Sequence, residues 1–187
     1  MNPFDVPANE LINTIAEDLK TNLKVEQPAF ASFVKTAPSR ERVPQQKDWY
    51  YTRLASILYR LLKEGTLGTG ALRTYYGGRK NRGRRKHKFR RAGGKIIRYA
   101  LQQLESLGLV KKVQKGRTLT PKGHSYLSRM ALKTKKRLEE KQSAKKDDKS
   151  ALEKAQAVKS SEDKSEEKSK KKAEIVSELK EKLAENL

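Results

Sequence analysis

Cysteine is absent from the 187 residues, and histidine occurs only twice, as His87 and His124. That inventory builds neither a disulfide framework nor a thiolate or multi-histidine metal centre. Carboxylates are missing from one region above all: residues 71–137 contain a single acid, Glu105. Paired acid–base chemistry there has no second member. Apolar residues make up 35% of the chain, below the ~45–50% of an average globular domain. None of the apolar runs approaches the ~20 residues of a membrane span. The opening Met1-Asn2-Pro3-Phe4-Asp5 lacks the charged-then-apolar order of a secretory signal. The chain reads as soluble and intracellular, with no membrane partner, no cofactor, no metal and no small-molecule substrate.

What the sequence has in excess is positive charge. Lys and Arg number 44 against 22 Asp and Glu, a formal net charge of +22. The distribution is very uneven. Residues 1–70 hold 9 basic and 8 acidic residues, and residues 138–187 hold 13 of each sign. Residues 71–137 hold 22 basic residues, so the excess is concentrated there. A surface of that density repels itself unless a partner neutralises it. Solubility alone needs a net charge of only ~2–8 in a small domain. The partner implied is a polyanion.

Helical periodicity dominates the first two thirds. Asp5 is placed to cap a helix opening near Pro7 and carrying Leu11, Ile12, Ile15, Ala16 and Leu19. Pro28 to Phe33 reads as one or two helical turns giving two Phe to the core. Thr36 to Gln46, with Pro38 and Pro44, reads as an irregular connector. Asp48 is placed to cap a helix from Trp49 to about Lys63, the expected centre of the fold. Its stripe is Tyr50, Leu54, Ile57, Leu58, Leu61 and Leu62. Trp49, Tyr50 and Tyr51 read as core aromatics in preference to base-stacking residues. A short helix, Ala71–Tyr76, is closed by Gly77-Gly78. A basic loop follows over 79–91, then a helix from about Lys95 to Leu107. Residues 109–113 and 117–120 read as a β-hairpin, and Thr120-Pro121 opens a further helix with Tyr126, Leu127, Met130 and Ala131. This order is that of a winged helix. The fold class expected is mostly α: a winged-helix-like domain over 1–137 with a small β-hairpin. A Lys/Glu-rich extension over 138–187 is expected to be mostly disordered or partly helical. Its one apolar face comprises Ile175, Val176, Leu179, Leu183 and Leu187.

Arg79, Lys80, Arg82, Arg84, Arg85, Lys86, Lys88, Arg90 and Arg91 crowd the basic loop without an acid among them. Guanidinium groups contact phosphate in two-pronged fashion and also stack on bases. A DNA reader joins its paired helices by a short turn. Here a long Arg-loaded connection stands between them, which suits irregular folded RNA better than a regular duplex. Gly65-Thr66-Leu67-Gly68-Thr69-Gly70 is glycine-rich but lacks the Gly-Lys-Ser/Thr ending of a phosphate loop. His124 reads as a surface or capping residue. No enzyme is expected.

Several runs are specific. Asp48-Trp49-Tyr50-Tyr51, Arg53-Leu54-Ala55-Ser56-Ile57-Leu58, Leu72 through Gly83, Ile96 through Glu105 and Leu119-Thr120-Pro121-Lys122-Gly123 together resemble one family. It is the small-subunit ribosomal protein family numbered nineteen of archaea and eukaryotes, unrelated to the bacterial protein of that number. Val6-Pro7-Ala8 and Phe33-Val34-Lys35-Thr36 are similar to it as well. The resemblance covers about residues 3–135 and implies a structural protein of the subunit head, cytoplasmic within the ribosome. Members contact ribosomal RNA and are needed for subunit maturation. Its partners would be small-subunit ribosomal RNA and neighbouring head proteins. The RNA contacts would map onto Arg53 and Arg60 of the central helix, Arg79 through Arg91, and Lys95 and Arg98. Arg73 is counted among the RNA-binding candidates as well. The extension after 137 departs from the family pattern. A winged-helix DNA-binding regulator is the alternative; such a protein usually dimerises, and no dimerisation helix stands before the extension.

Overall fold

The computed structural model describes residues 1–143. Residues 1–136 form one compact unit; residues 137–143 are helical and belong to a second. The apolar face expected at Ile175 to Leu187 lies outside the described residues. The unit is mostly α and winged-helix-like. Helix α1 is Ala8–Thr21, α2 Trp49–Glu64, α3 Thr69–Tyr75 and α4 Gly94–Ser106. A helix over 121–143, α5, follows the last strand. Strands β1 (Gly78–Arg82) and β2 (Arg85–Arg90) form one antiparallel hairpin. Strands β3 (Val110–Val113) and β4 (Gly116–Leu119) form the wing, to which Leu67 adds an antiparallel bridge at Arg117.

The central position expected for α2 is observed. Trp49, Tyr50, Tyr51, Leu54, Ala55, Ile57, Leu58 and Leu61 are all buried. The three aromatics are core residues, and each polar tip has a partner. Trp49 Nε1 donates to the Ala31 carbonyl at 3.2 Å, Tyr51 Oη to the Val25 carbonyl at 3.0 Å and Tyr50 Oη to Gln103 Oε1 at 2.6 Å. Val25 lies in the coil after α1 and Ala31 in the 3₁₀ turn that follows it, so the polar tips tie this stretch to the helix. Helix α4 buries Ile96, Ile97, Ala100, Leu101 and Leu104, and Gly108, at φ +70°, ends the run beyond it.

Four local expectations are corrected. Asp5 does not cap α1; it ends a 3₁₀ turn over Pro3–Asp5 whose cap is Asn2, and Pro7 occupies the α1 cap position. The extended conformation that a following proline imposes on Val6 separates the two elements. Asp48 stands at the N-cap of α2 without capping it. Its carboxylate turns to Lys20 Nζ at 2.9 Å instead. Only Phe30 of the expected Phe pair is partly buried, and Phe33 is 70% exposed. In the 3₁₀ turn Ala29–Ser32, the near-threefold repeat turns Pro28 and Ala31 inward and leaves 30 and 33 on the other side.

The fourth correction matters most. Residues 79–91, expected as a loop, are largely the β1–β2 hairpin. Arg82 pairs with Arg85, leaving Gly83-Arg84 as a two-residue turn. Gly83 adopts φ +67°, a value that only glycine accepts without strain, and its N–H donates to Asn81 Oδ1 at 3.1 Å. At the other end, a Cβ on Gly77 would lie 2.7 Å from the Arg90 carbonyl. Glycine there lets the end of α3 lie directly against β2.

Helix α5 closes the unit. Tyr126 Oη donates to Asp18 Oδ2 at 2.8 Å, tying α5 to α1, and Asn22 Nδ2 donates to the other Asp18 oxygen. Burial pushes the phenols of Tyr126 and Tyr50 well above their usual 10.0, and for Tyr126 the Asp18 hydrogen bond adds to the rise. Above that pH the unfolded chain releases these protons while the folded chain keeps them. Stability therefore falls as pH rises from the unfolded value towards the folded ones. Replacing Tyr126 by Phe is expected to make this alkaline fall shallower. It is also expected to cost about 1–3 kcal/mol near neutrality, since buried Asp18 loses a donor. Urea unfolding at about pH 7 and about pH 11 checks both, and an unchanged alkaline slope would refute the assignment.

Candidate nucleic-acid interface

Every residue of β2 is exposed, and β1 is exposed or half-buried. The register sets Lys80 directly opposite Lys88 and Arg82 opposite Arg85. Like charges across a β-ladder destabilise it. Among the described residues, Arg79, Lys80, Arg84, Arg85, Lys86, Lys88, Arg90 and Arg91 have no carboxylate partner. Arg82 is turned inward on the hairpin itself: Nε and Nη2 both donate to the Lys86 carbonyl, at 3.0 and 2.8 Å, bracing the tip. Phe89 stands 52% exposed among these cations. The outcome is an exposed two-stranded ribbon whose cations, apart from the inward Arg82, have no carboxylate partner among the described residues.

The candidates on the helices are placed differently. The Arg53 guanidinium stacks on the Tyr76 ring, 3.9 Å from its centroid, and Arg60 stacks on Tyr75 at 4.0 Å. Arg60 also pairs with Glu64. Tyr76 Oη lies 2.7 Å from Ser56 Oγ. Because Tyr75 and Tyr76 end α3 just before β1, these stacks bring the basic side of α2 to the foot of the hairpin. Burial lowers the Arg53 guanidinium below its usual range and the Arg40 charge adds to this, while Tyr76 opposes it. Burial raises the Tyr76 phenol, partly offset by the bond to Ser56. Arg73 is structural in part: its Nε donates to the Ala92 carbonyl at 3.1 Å. Lys95 and Arg98 lie on the exposed side of α4, with the Lys95 ammonium 4.8 Å from the Phe30 ring centroid. The stacks gather Arg53 and Arg60 with the hairpin, and Lys95 turns elsewhere.

Two basic residues escape sequence reasoning. Arg40 and Arg42, in the connector, line a groove of about 470 Å³ together with Arg53, Trp49 and Tyr76. They also line a second one of about 530 Å³ with Arg79, Asn81 and His87. The connector thus bridges α2 and the hairpin. The only signal in the sequence is a pair of arginines between Pro38 and Pro44. Among the described residues no group of three metal-ligating side chains occurs, and no helix is long and apolar enough to cross a membrane.

A winged-helix-like domain bearing an acid-free cationic ribbon belongs to the class of small basic winged-helix modules. The family model for ribosomal protein S19e matches residues 2–137, and the chain belongs to that family. It is thereby a small-subunit ribosomal protein, part of a ribonucleoprotein that acts in translation. Small ribosomal subunit protein eS19 of Aeropyrum pernix is 48% identical over 134 residues, covering 70% of this chain and 88% of the relative. The eS19 of Thermoplasma volcanium is 40% identical over 136 residues, covering 73% and 91%. The eS19G of Ascaris suum is 42% identical over 129 residues, covering 68% and 87%. The resemblance read from the sequence is upheld.

The register generates a test. Lys88→Glu places a carboxylate opposite Lys80 and is expected to raise the melting midpoint of the free protein at low salt by about 1–4 °C. The gain should shrink as salt screens the pair. Calorimetry at two ionic strengths checks it; a lower midpoint at low salt would mean that Lys80 and Lys88 do not repel.

Proposed function

We propose that the domain binds and holds folded ribosomal RNA in the head of the small subunit and supports maturation of that subunit. The observation that carries this is the β1–β2 ribbon, whose like charges face each other with no carboxylate partner among the described residues. Phosphate neutralises them, and the guanidinium groups add planar, two-pronged contacts. The candidate contacts are Arg79, Lys80, Arg84, Arg85, Lys86, Lys88, Arg90 and Arg91 on or beside the ribbon, with Arg53 and Arg60 at its foot. Arg73 and Arg82 act by bracing that ribbon, and Lys95 and Arg98 supply a separate contact from α4. The role is structural, not enzymatic, and is exercised in cytoplasmic ribosomes beside neighbouring head proteins. A DNA-reading regulator suits the geometry less well, because the ribbon interrupts the pair of helices that would grip a duplex.

The domain proposed to do this is 1–137. Residues 138–187 carry equal numbers of acids and bases and add no net attraction to phosphate. They serve protein contact if they serve any.

Arg84, Arg85 and Lys88 changed together to Ala should flatten the log–log salt dependence of RNA binding. The expected reduction is about 0.7–0.9 for each phosphate released, with the melting midpoint unchanged or slightly raised as the Lys80–Lys88 and Arg82–Arg85 repulsions are lost. Filter binding to small-subunit ribosomal RNA measures the slope, and an unchanged slope would remove the ribbon from the RNA. In a sucrose gradient at physiological salt, both the full chain and a truncation after Arg137 should travel with small subunits and their precursors. A chain confined to free fractions would overturn the proposal.

A further inference from the structure

The groove of about 470 Å³ beside the ribbon foot has a mixed lining. Arg40, Arg42 and Arg53 contribute to it together with the apolar Val43, Pro44 and Trp49. No carboxylate lines it, and Glu41 belongs to the adjoining groove. One ring face of Tyr76 is covered by Arg53, and Arg53 also lines the groove. A guanidinium plane backed by a tyrosine is a platform on which a base can stack. In the adjoining groove, the Ser39 hydroxyl is buried without a hydrogen-bond partner. A regular duplex would satisfy the cations through its phosphates and leave the apolar lining bare, since its bases are stacked inside. A nucleotide turned out of its helix supplies both a phosphate and an apolar face.

We infer that this groove receives a single unpaired nucleotide of RNA, with its phosphate on Arg40 and Arg42 and its base on the Arg53 platform, against the apolar part of the lining. The inference rests on the RNA-binding reading above and deepens it: the ribbon supplies charge, and the groove selects an irregularity in the RNA. Arg40 and Arg42 line both grooves, so a backbone following the ribbon past Arg79 reaches the groove without leaving the protein.

The test uses the full chain and two RNAs: a duplex of about 20 base pairs, and the same duplex carrying one bulged 2-aminopurine. The bulged RNA should bind on the order of tenfold tighter, the scale of a single stacked base, with a change in 2-aminopurine emission. Arg40→Ala with Arg42→Ala should abolish that preference while leaving most of the duplex binding. Val43→Asp, at a residue 44% exposed, puts a carboxylate into the groove and should do the same without removing an arginine. The ribbon triple variant should weaken both RNAs alike. Equal affinity of the wild type for the two RNAs would overturn the inference while the RNA-binding reading stands, and would leave the groove to an acidic side chain of a neighbouring protein. Failure to bind either RNA would overturn both. Free adenosine monophosphate displacing the bulged RNA at micromolar concentration would assign the groove to a free nucleotide and overturn the inference.

Discussion

Burial of one helix on several sides at once constrains the whole unit. Helix α2 lays Leu54, Ile57, Leu58 and Leu61 against α1, α4 and the wing together. With those directions committed, Arg53, Ser56 and Arg60 have one side left. There they meet Tyr75 and Tyr76, and the two cation–aromatic stacks with the Ser56–Tyr76 hydrogen bond join α3 to α2. Strand β1 begins two residues later, with Gly77 letting the chain pass tightly. The cationic ribbon thus inherits its position from the hydrophobic packing of α2, although the ribbon has almost no core of its own. A core substitution in α2 would therefore reach the ribbon through Tyr76.

The helices were readable because burial on one face writes a 3.6-residue period into the sequence. Leu54-Ile57-Leu58-Leu61 and Ile97-Ala100-Leu101-Leu104 both carry it, and both helices lie within a residue of where the pattern places them. The wing was readable from its turn residues. The ribbon was not, because a strand announces itself by alternation between an apolar and a polar face. Both faces of β1 and β2 reach solvent, so an Arg or Lys stands in every register pair and no apolar alternation remains. Its one written sign is Gly83 after Asn81, a turn signal submerged in charge. Arg40 and Arg42 were hidden for a related reason: an irregular connector has no period, so nothing along the chain says which way its side chains turn. The caps failed at Asp5 and Asp48 because a carboxylate has alternatives, and for Asp48 the ammonium of Lys20 is the partner it finds.

Two uses of arginine coexist within a few residues. Arg53, Arg60, Arg73 and Arg82 each spend part of their hydrogen-bonding or stacking capacity on the protein. Arg84, Arg85 and Arg90 spend none among the described residues. The first kind fixes where charge stands, and the second leaves charge available. An interface made only of the second kind would be a cationic tether. The combination holds the charges in a stated geometry, which recognition of a folded polyanion requires.

The hydrogen bond from Tyr126 to Asp18 joins residues 108 apart in sequence. Its buried acceptor sits on α1 and its donor on α5, so synthesis makes the acceptor well before the donor. Vectorial growth therefore delivers α1, α2 and the cationic ribbon before the residue that completes the α1 contact. Contacts of such long sequence separation form late, because loop closure must precede them. The nascent domain holds its strongly basic segment for an interval in which its own closure is unfinished. The timing of that closure is set by chain order alone: the charge is complete before the shape that carries it.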